Sequence, residues 1–439
     1  MSKRLELILK KIILIILISP LIFTFYKSEI IYKSELHGYY FKYYIISSVL
    51  CFYAIVIYLK NCKFLIYNLI ILPSILISLY LFQGYEIQFK KYLISKEFFE
   101  KTGKEFDARE IFEVYEDRLS KGEKVTVWVP PKYFTKKKKL DLHPLSSISN
   151  IKTINCNENG YFSEYISDRY GFNNPDEVWD IEIVDFLIIG DSFARGECVN
   201  RGHDIASSLR KLSNKNVISL GYSSNGPLTE LASLREYTPK NTKKIIWLYH
   251  EGSDLSDLNL ELKNEILKKY LKEKNFTQNL KVRQKEINKI INNVIEEEKM
   301  IYKEKKQKLI SENFKKFITL FYLRNYFLTD QNSNFDIKPT KDFNEITKLI
   351  KSFAHSNNMS LYFVYLPDFA RYELELSPKN IQIIKNIIEK NQIKFLNIHE
   401  VVFKNLKNPK SLFPFDNNGH YNERGYELVS KAIFKFIIN

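Results

Sequence analysis

Two segments carry residues whose types and spacing suit chemistry. One is Asp185-Phe-Leu-Ile-Ile-Gly190-Asp191-Ser192-Phe193, and the other is Asp416-Asn-Asn-Gly-His420-Tyr-Asn-Glu-Arg-Gly425. A serine hydroxyl becomes a nucleophile only when a base takes its proton, and an imidazole does so near neutral pH. Asp416, four residues before His420, is the carboxylate that would hold the ring's tautomer. Gly-Asp-Ser alone also makes ordinary turns and helix caps, and His420 alone reads as a surface histidine beside a cap. Together they describe acyl transfer through a serine.

Such groups must be held by a scaffold. Short apolar runs at 184–189, 217–220, 245–249, 361–366 and 393–398 read as buried strands with helical patterns between them. That alternation predicts an α/β domain with a parallel sheet covered on both faces, and sites at the carboxyl ends of its strands. Ser192 follows the first strand, and His420 precedes an amphipathic last helix at 426–438. His250 ends the third strand, where a histidine is usually a packing residue. Asp168 and Asp191 read as structural acceptors for loop N–H groups.

In this order of motifs the chain resembles the SGNH/GDSL hydrolase superfamily, over about residues 156–439. The resemblance is carried by Ser-Asp168-Arg-Tyr-Gly-Phe-Asn ahead of the Gly-Asp-Ser strand and by Gly221-Tyr-Ser-Ser-Asn-Gly-Pro227 after the second strand. Glu251-Gly-Ser-Asp254 after the third and His420-Tyr-Asn-Glu-Arg-Gly before the last helix complete it. The chain looks most like the membrane-anchored, polysaccharide-associated branch. The resemblance implies a flavodoxin-like three-layer α/β/α sandwich in which Ser192 attacks an ester carbonyl, His420 relays the proton and an acyl-enzyme is hydrolysed. It also implies an oxyanion hole from the Ser192 N–H and a backbone N–H in the Ser224-Asn225-Gly226 loop.

The sequence departs from the family in two places. Ser253 stands where an asparagine donor is expected, so either its shorter hydroxyl or Asn225 must serve. Asp416 is one residue farther from the histidine than usual, which leaves a bulged loop, a Ser-His dyad or a backbone carbonyl as ways to orient His420. Ser224 occupies a position where glycine would be usual.

Three apolar stretches, 12–26, 43–59 and 64–82, predict a three-span anchor within residues 1–85. Only the third clearly reaches bilayer length, and the first two sit near the lower limit. Basic residues before the first and the Lys60-Asn61-Cys62-Lys63 turn are both placed in the cytoplasm by one arrangement, and three crossings then put everything after Gln83 outside, although Lys27, Lys33 and Lys42 in the first loop weigh against that side. In the soluble part Cys156 and Cys198 are then candidates for a disulfide, with two buried free thiols as the alternative. Residues 86–155 read as a connector and small accessory layer, with a helix near 105–121 and a strand at 124–129 stopped by Pro130-Pro131. A charged helical insertion at about 255–335 is either a lid or partner surface, or a solvated arm.

The net charge of +15 is spread along the chain, which argues for a lysine-rich composition rather than a nucleic-acid surface. Lysines 136–139 form the one dense run and are expected on a solvated loop. No metal signature, phosphate-cradling loop or dinucleotide fingerprint is present in the sequence, so no cofactor is expected. The expected partners are an acylated carbohydrate or other ester, the bilayer and envelope polysaccharide machinery. An O-acyltransferase and a catalytically degraded binding subunit are the alternatives.

Overall fold

The structure, a computed structural model, describes residues 2–31, 37–135, 141–328, 340–373 and 380–438. Lysines 136–139 and positions 329–335 of the insertion lie outside them. The chain divides into two compact units, residues 1–96 with 305–333 and residues 97–304 with 334–439.

In the first unit, three helices are long and apolar enough to cross a membrane: Lys3–Ile31 with 29 residues, Tyr40–Leu59 with 20 and Cys62–Thr102 with 41. About 20 residues span the hydrocarbon of a bilayer, so the first two runs, expected near the lower limit, are longer than their apolar residues suggested. The helical backbone continues into the polar flanks, where ion pairs satisfy the charges. Lys10, for example, pairs with Glu6 at 2.8 Å and donates to the Lys60 carbonyl at 2.6 Å.

The second unit is built on two sheets. Strands β1 (Val125–Val127), β2 (Lys152–Ile154) and β3 (Glu164–Ile166) form a small sheet, parallel between β1 and β2 and antiparallel between β2 and β3. The larger sheet contains β4 (Val184–Ile189), β5 (Val217–Ser219), β6 (Thr242–His250), β7 (Ser360–Leu366) and β8 (Lys394–Asn397). They lie in the order β5-β4-β6-β7-β8, and every neighbouring pair is parallel.

All five strands are where the apolar runs put them. Strand β6 starts three residues early, taking in Lys243 and Lys244, because the lysine stem lies along the sheet. Lys244 passes over the Phe186 and Tyr362 rings at 5.8 and 5.6 Å, and its ammonium donates to the Ile437 carbonyl at 2.9 Å.

Alternate residues of each strand feed opposite cores, as a pleat requires. Leu187, Ile189, Trp247, Tyr249, Phe363 and Tyr365 pack with helices Pro227–Tyr237, Thr340–Ser356 and Ile381–Lys390. Phe186, Ile188, Ile246, Leu248, Val364 and Leu366 pack with helices Ile205–Ser213 and Glu423–Ile438. Both faces are therefore covered, which is why the strands read as continuous apolar runs. Strand β4 lies between β5 and β6, so the chain runs from β4 to β5 on one side and then back past β4 to β6 on the other. In sheets of this kind, the carboxyl end of a strand where the order reverses is where ligands bind.

The insertion is helical, as expected, but its first half is no solvated arm. Helix Gln284–Ile318 buries Ile287, Ile291, Val294 and Ile295 in the same core as β4 and β6. That spacing is one face of a helix.

Candidate active site

Strand β4 ends at Ile189, and the chain turns through Gly190 and Asp191 into the short helix Ser192–Arg195. Gly190 has φ 153°, and a Cβ there would lie 2.8 Å from the Ala194 Cβ and 2.9 Å from the Leu248 carbonyl oxygen. Only glycine fits so sharp a turn beside β6. The Asp191 carboxylate caps the helix by accepting from the Phe193 N–H at 2.9 Å. Burial pushes that carboxyl above its ordinary range. Ser192 is 8% exposed, and its Oγ lies 2.8 Å from Nε2 of His420.

His420 is held from both sides of its loop. The neighbouring Tyr421 is buried and donates its hydroxyl to the Pro367 carbonyl at 2.8 Å. Asn422 donates to the Ser411 and Phe413 carbonyls at 2.9 and 3.1 Å. Within the site, Oε1 of Glu158 lies 2.9 Å from Nδ1 of His420, and Oε2 accepts the His420 backbone N–H at 2.6 Å. Gly419 makes this approach feasible, since a Cβ at that position would sit 2.7 Å from Oε2 of Glu158. Serine, imidazole and carboxylate thus stand in line.

The carboxylate on His420 was expected from Asp416, and that expectation is corrected. Phe415 and Asp416 both adopt the left-handed backbone conformation, with φ of 52° and 54°. The exposed Asp416 side chain accepts from the Asn408 amide at 2.8 Å. The loop turns its acid outward, and Glu158, 262 positions before His420, takes the place. Glu158 was missed because nothing local marks it. The available signal was its neighbour: Cys156 forms a disulfide with Cys198, which lies six residues after Ser192. Asn159 adds a hydrogen bond to the Cys198 carbonyl at 2.9 Å.

The electrostatics follow from this pairing. Burial alone would lower the pKa of His420, but the Glu158 charge and hydrogen bond, with Glu197 and Asp191 nearby, raise it to about 9. Burial would raise Glu158, yet the charge and hydrogen bonds of His420 hold it below the usual carboxylate range. Once neutral, the ring can accept the Ser192 proton at Nε2 while Glu158 stabilises the imidazolium that forms.

Four positions, Ser192, Ser224, Asn225 and Ser253, were expected to bind an oxyanion. The Ser192 N–H belongs to the first turn of a helix, where amides lack intrahelical acceptors. Ser224 has φ 58°, the conformation that made glycine the usual residue there. The backbone N–H of Asn225 donates to the Tyr222 carbonyl at 3.2 Å. Its side-chain amide instead reaches the Gly190 carbonyl at 3.4 Å, while its Oδ1 is buried without a partner.

The Ser253 hydroxyl is already engaged, 2.9 Å from Nδ1 of His250 and 3.3 Å from both Asp191 Oδ2 and Asp254 Oδ1. Both side chains weighed stand at the end of the nucleophile's strand, the Asn225 amide against Gly190 and the Ser253 hydroxyl against Asp191. His250 is a packing residue, stacked on the Phe193 ring at 4.3 Å with its Nε2 3.3 Å from Asp368. Asp168 accepts from the Tyr170 and Phe172 N–H groups, the Asn174 amide and the Trp179 indole.

Glu158, Cys198 and His420 bring ligand atoms within 4.8 Å of one another. Cys198 has its sulfur in the disulfide, and the other two are bonded to each other. The trio does not suit a cation.

No protein-family model and no curated protein matches the chain. A solved structure described as a lipolytic protein of the G-D-S-L family, from Desulfitobacterium hafniense DCB-2, is similar to it over 58% of this chain and 99% of that one. The identity is 14% and the TM-score 0.32. At that level no chemistry transfers from one to the other.

Proposed function

We propose that the chain is a membrane-anchored serine esterase of the SGNH/GDSL type, with Ser192 as nucleophile, His420 as general base and Glu158 as the acid that orients it. The observation that carries this reading is the line of contacts from Ser192 Oγ to His420 Nε2 at 2.8 Å and from His420 Nδ1 to Glu158 at 2.9 Å. In the first step the Ser192 oxygen attacks an ester carbonyl as its proton passes to His420. The tetrahedral oxyanion is held by the Ser192 N–H and, from the 224–226 loop, by the Asn225 side-chain amide, since the Asn225 and Gly226 N–H groups already have acceptors. Collapse expels the alcohol, which receives the proton from His420. Water, activated by the same ring, then releases the acid and frees Ser192.

The order of sheet strands, with the first strand second from the edge, supports a flavodoxin-like sandwich. An extracytoplasmic catalytic unit is supported by the Cys156–Cys198 disulfide, because thiols persist in the cytoplasm. An O-acylated, most simply O-acetylated, carbohydrate of the cell envelope is the substrate this location suggests.

The test uses the full-length protein in detergent. Hydrolysis of p-nitrophenyl acetate and fluorophosphonate labelling are followed in the wild type and in Ser192→Ala, with the labelled peptide mapped. Labelling at Ser192 and loss of activity in the variant are expected. A folded protein that neither hydrolyses the ester nor takes the label would overturn the esterase in favour of a binding subunit.

A further inference from the structure

The far end of the insertion sits in the same compact unit as the candidate spans. Its long helix ends at Ile318, and the carbonyls of a helix's last turn need donors. Gln83 supplies them, donating its amide to the Lys316 and Phe317 carbonyls at 3.0 and 2.9 Å. The Tyr80 hydroxyl donates to the Ile318 carbonyl at 2.8 Å, and its ring lies 5.1 Å from that of Phe317. Gln83 is the residue that follows the apolar run 64–82, so these bonds tie the helix end to the point where the apolar run of that candidate span stops. Tyrosines with a polar tip and an apolar body favour that level.

The side chains there suit the same plane. With 3.6 residues per turn, Phe314, Phe317 and Ile318 share one face of the helix, and Lys305, Lys308 and Lys315 share another. Phe314 is 64% and Ile318 50% exposed, and Tyr322 follows at 41%. The three lysines are also exposed. Residues 305–328 hold six basic residues and one acidic residue. An apolar face bearing aromatics opposite a basic face is the pattern of a helix lying in the headgroup layer of an anionic leaflet.

We propose that the end of the insertion is an interfacial foot. Helix residues 305–318 and Tyr322 lie in the headgroup layer beside the third span, with Phe314, Phe317 and Ile318 in the acyl boundary and the lysines on anionic lipid. The foot gives the insertion a partner, the membrane surface itself, whatever reaction the Ser192 site performs.

The full chain carrying Cys51→Ser, Cys62→Ser and Phe314→Cys is labelled with a nitrobenzoxadiazole fluorophore. It is then reconstituted into vesicles of phosphatidylcholine, with or without phosphatidylglycerol. Blue-shifted emission that is quenched by lipids spin-labelled near the headgroup, and is resistant to aqueous iodide, is the expected result. Quenching by iodide with none from the lipid would overturn the proposal.

Lys308→Glu with Lys315→Glu should reverse the shift in phosphatidylglycerol vesicles and leave pure phosphatidylcholine vesicles little changed. Raising salt on the unreversed protein provides the same test without new substitutions. A label insensitive to both lipid charge and salt would refute the anionic partner.

Discussion

Glu158 grips His420 through both oxygens, one on the ring Nδ1 at 2.9 Å and one on the backbone N–H at 2.6 Å. A single carboxylate therefore fixes the imidazole's tautomer and its position together. In the proposed triad Glu158 is the positioning acid, and Asp416 has no part.

Replacing Glu158 with Gln should lower kcat for p-nitrophenyl acetate by about 10³- to 10⁴-fold, the range for a triad acid whose loss leaves the wrong tautomer. Asp416→Asn should stay within about twofold of wild type, since that exposed side chain accepts from Asn408 and not from His420. Steady-state kinetics on the two variants decide between the acids, and a large loss in Asp416→Asn alone would restore the original assignment.

The pH dependence follows from the raised pKa of His420. A base that must be neutral gives a kcat/KM that climbs with pH toward a plateau above about 9. Glu158→Gln should move the inflection down, because the charge that raised it is gone. Rates are read against Ser192→Ala to remove hydroxide-driven hydrolysis.

Stability has its own sign. The folded pKa of His420 lies above the unfolded value, so its stabilising share is complete below about 6.5 and disappears as pH rises through about 9. Glu158, held low, contributes above its unfolded value and loses that share as pH falls through its lowered pKa. Thermal midpoints should accordingly decline between pH 6.5 and 9 in the wild type and flatten in Glu158→Gln.

The sheet was legible because both its faces are buried, which makes each strand a run of apolar residues with no polar alternation to confuse it. Ser192 and His420 were legible because each sits at a strand or helix end with a local signature. Glu158 was not, since it comes from an irregular segment between β2 and β3 that meets the nucleophile's loop through the Cys156–Cys198 bond, a pairing that sequence separation does not reveal. The same limit applied to Ser253. It follows the third strand, and nothing in the sequence signals that His250 and Asp191 claim its hydroxyl.

Breaking the disulfide should affect the site more than the fold. Cys156 and Cys198 are 42 residues apart, and closing such a loop stabilises by roughly 4 kcal/mol in the chain-entropy model. Cys156→Ser with Cys198→Ser should lower the thermal midpoint. Activity measured well below that midpoint should fall further, because Glu158 is two residues from the bridge. Equal activity in a destabilised variant would mean that the Glu158 loop holds its own shape.

Ser253 is the last position to test, because its hydroxyl already has partners in His250, Asp191 and Asp254. Its hydroxyl joins His250 to Asp191, and Asp191 in turn caps the helix that begins with Ser192. Ser253→Ala leaves buried polar groups short of a partner, at a stability cost of about 1–3 kcal/mol. The effect on kcat should be under about tenfold, whereas loss of a true oxyanion donor costs about 10²- to 10³-fold. Asn225→Ala is the contrasting variant: if its amide swings from the Gly190 carbonyl to the developing charge, kcat falls by that larger factor while KM changes little. Comparing the two variants on one ester assigns the side-chain donor. A large kcat loss in Ser253→Ala with none in Asn225→Ala would return the role to Ser253.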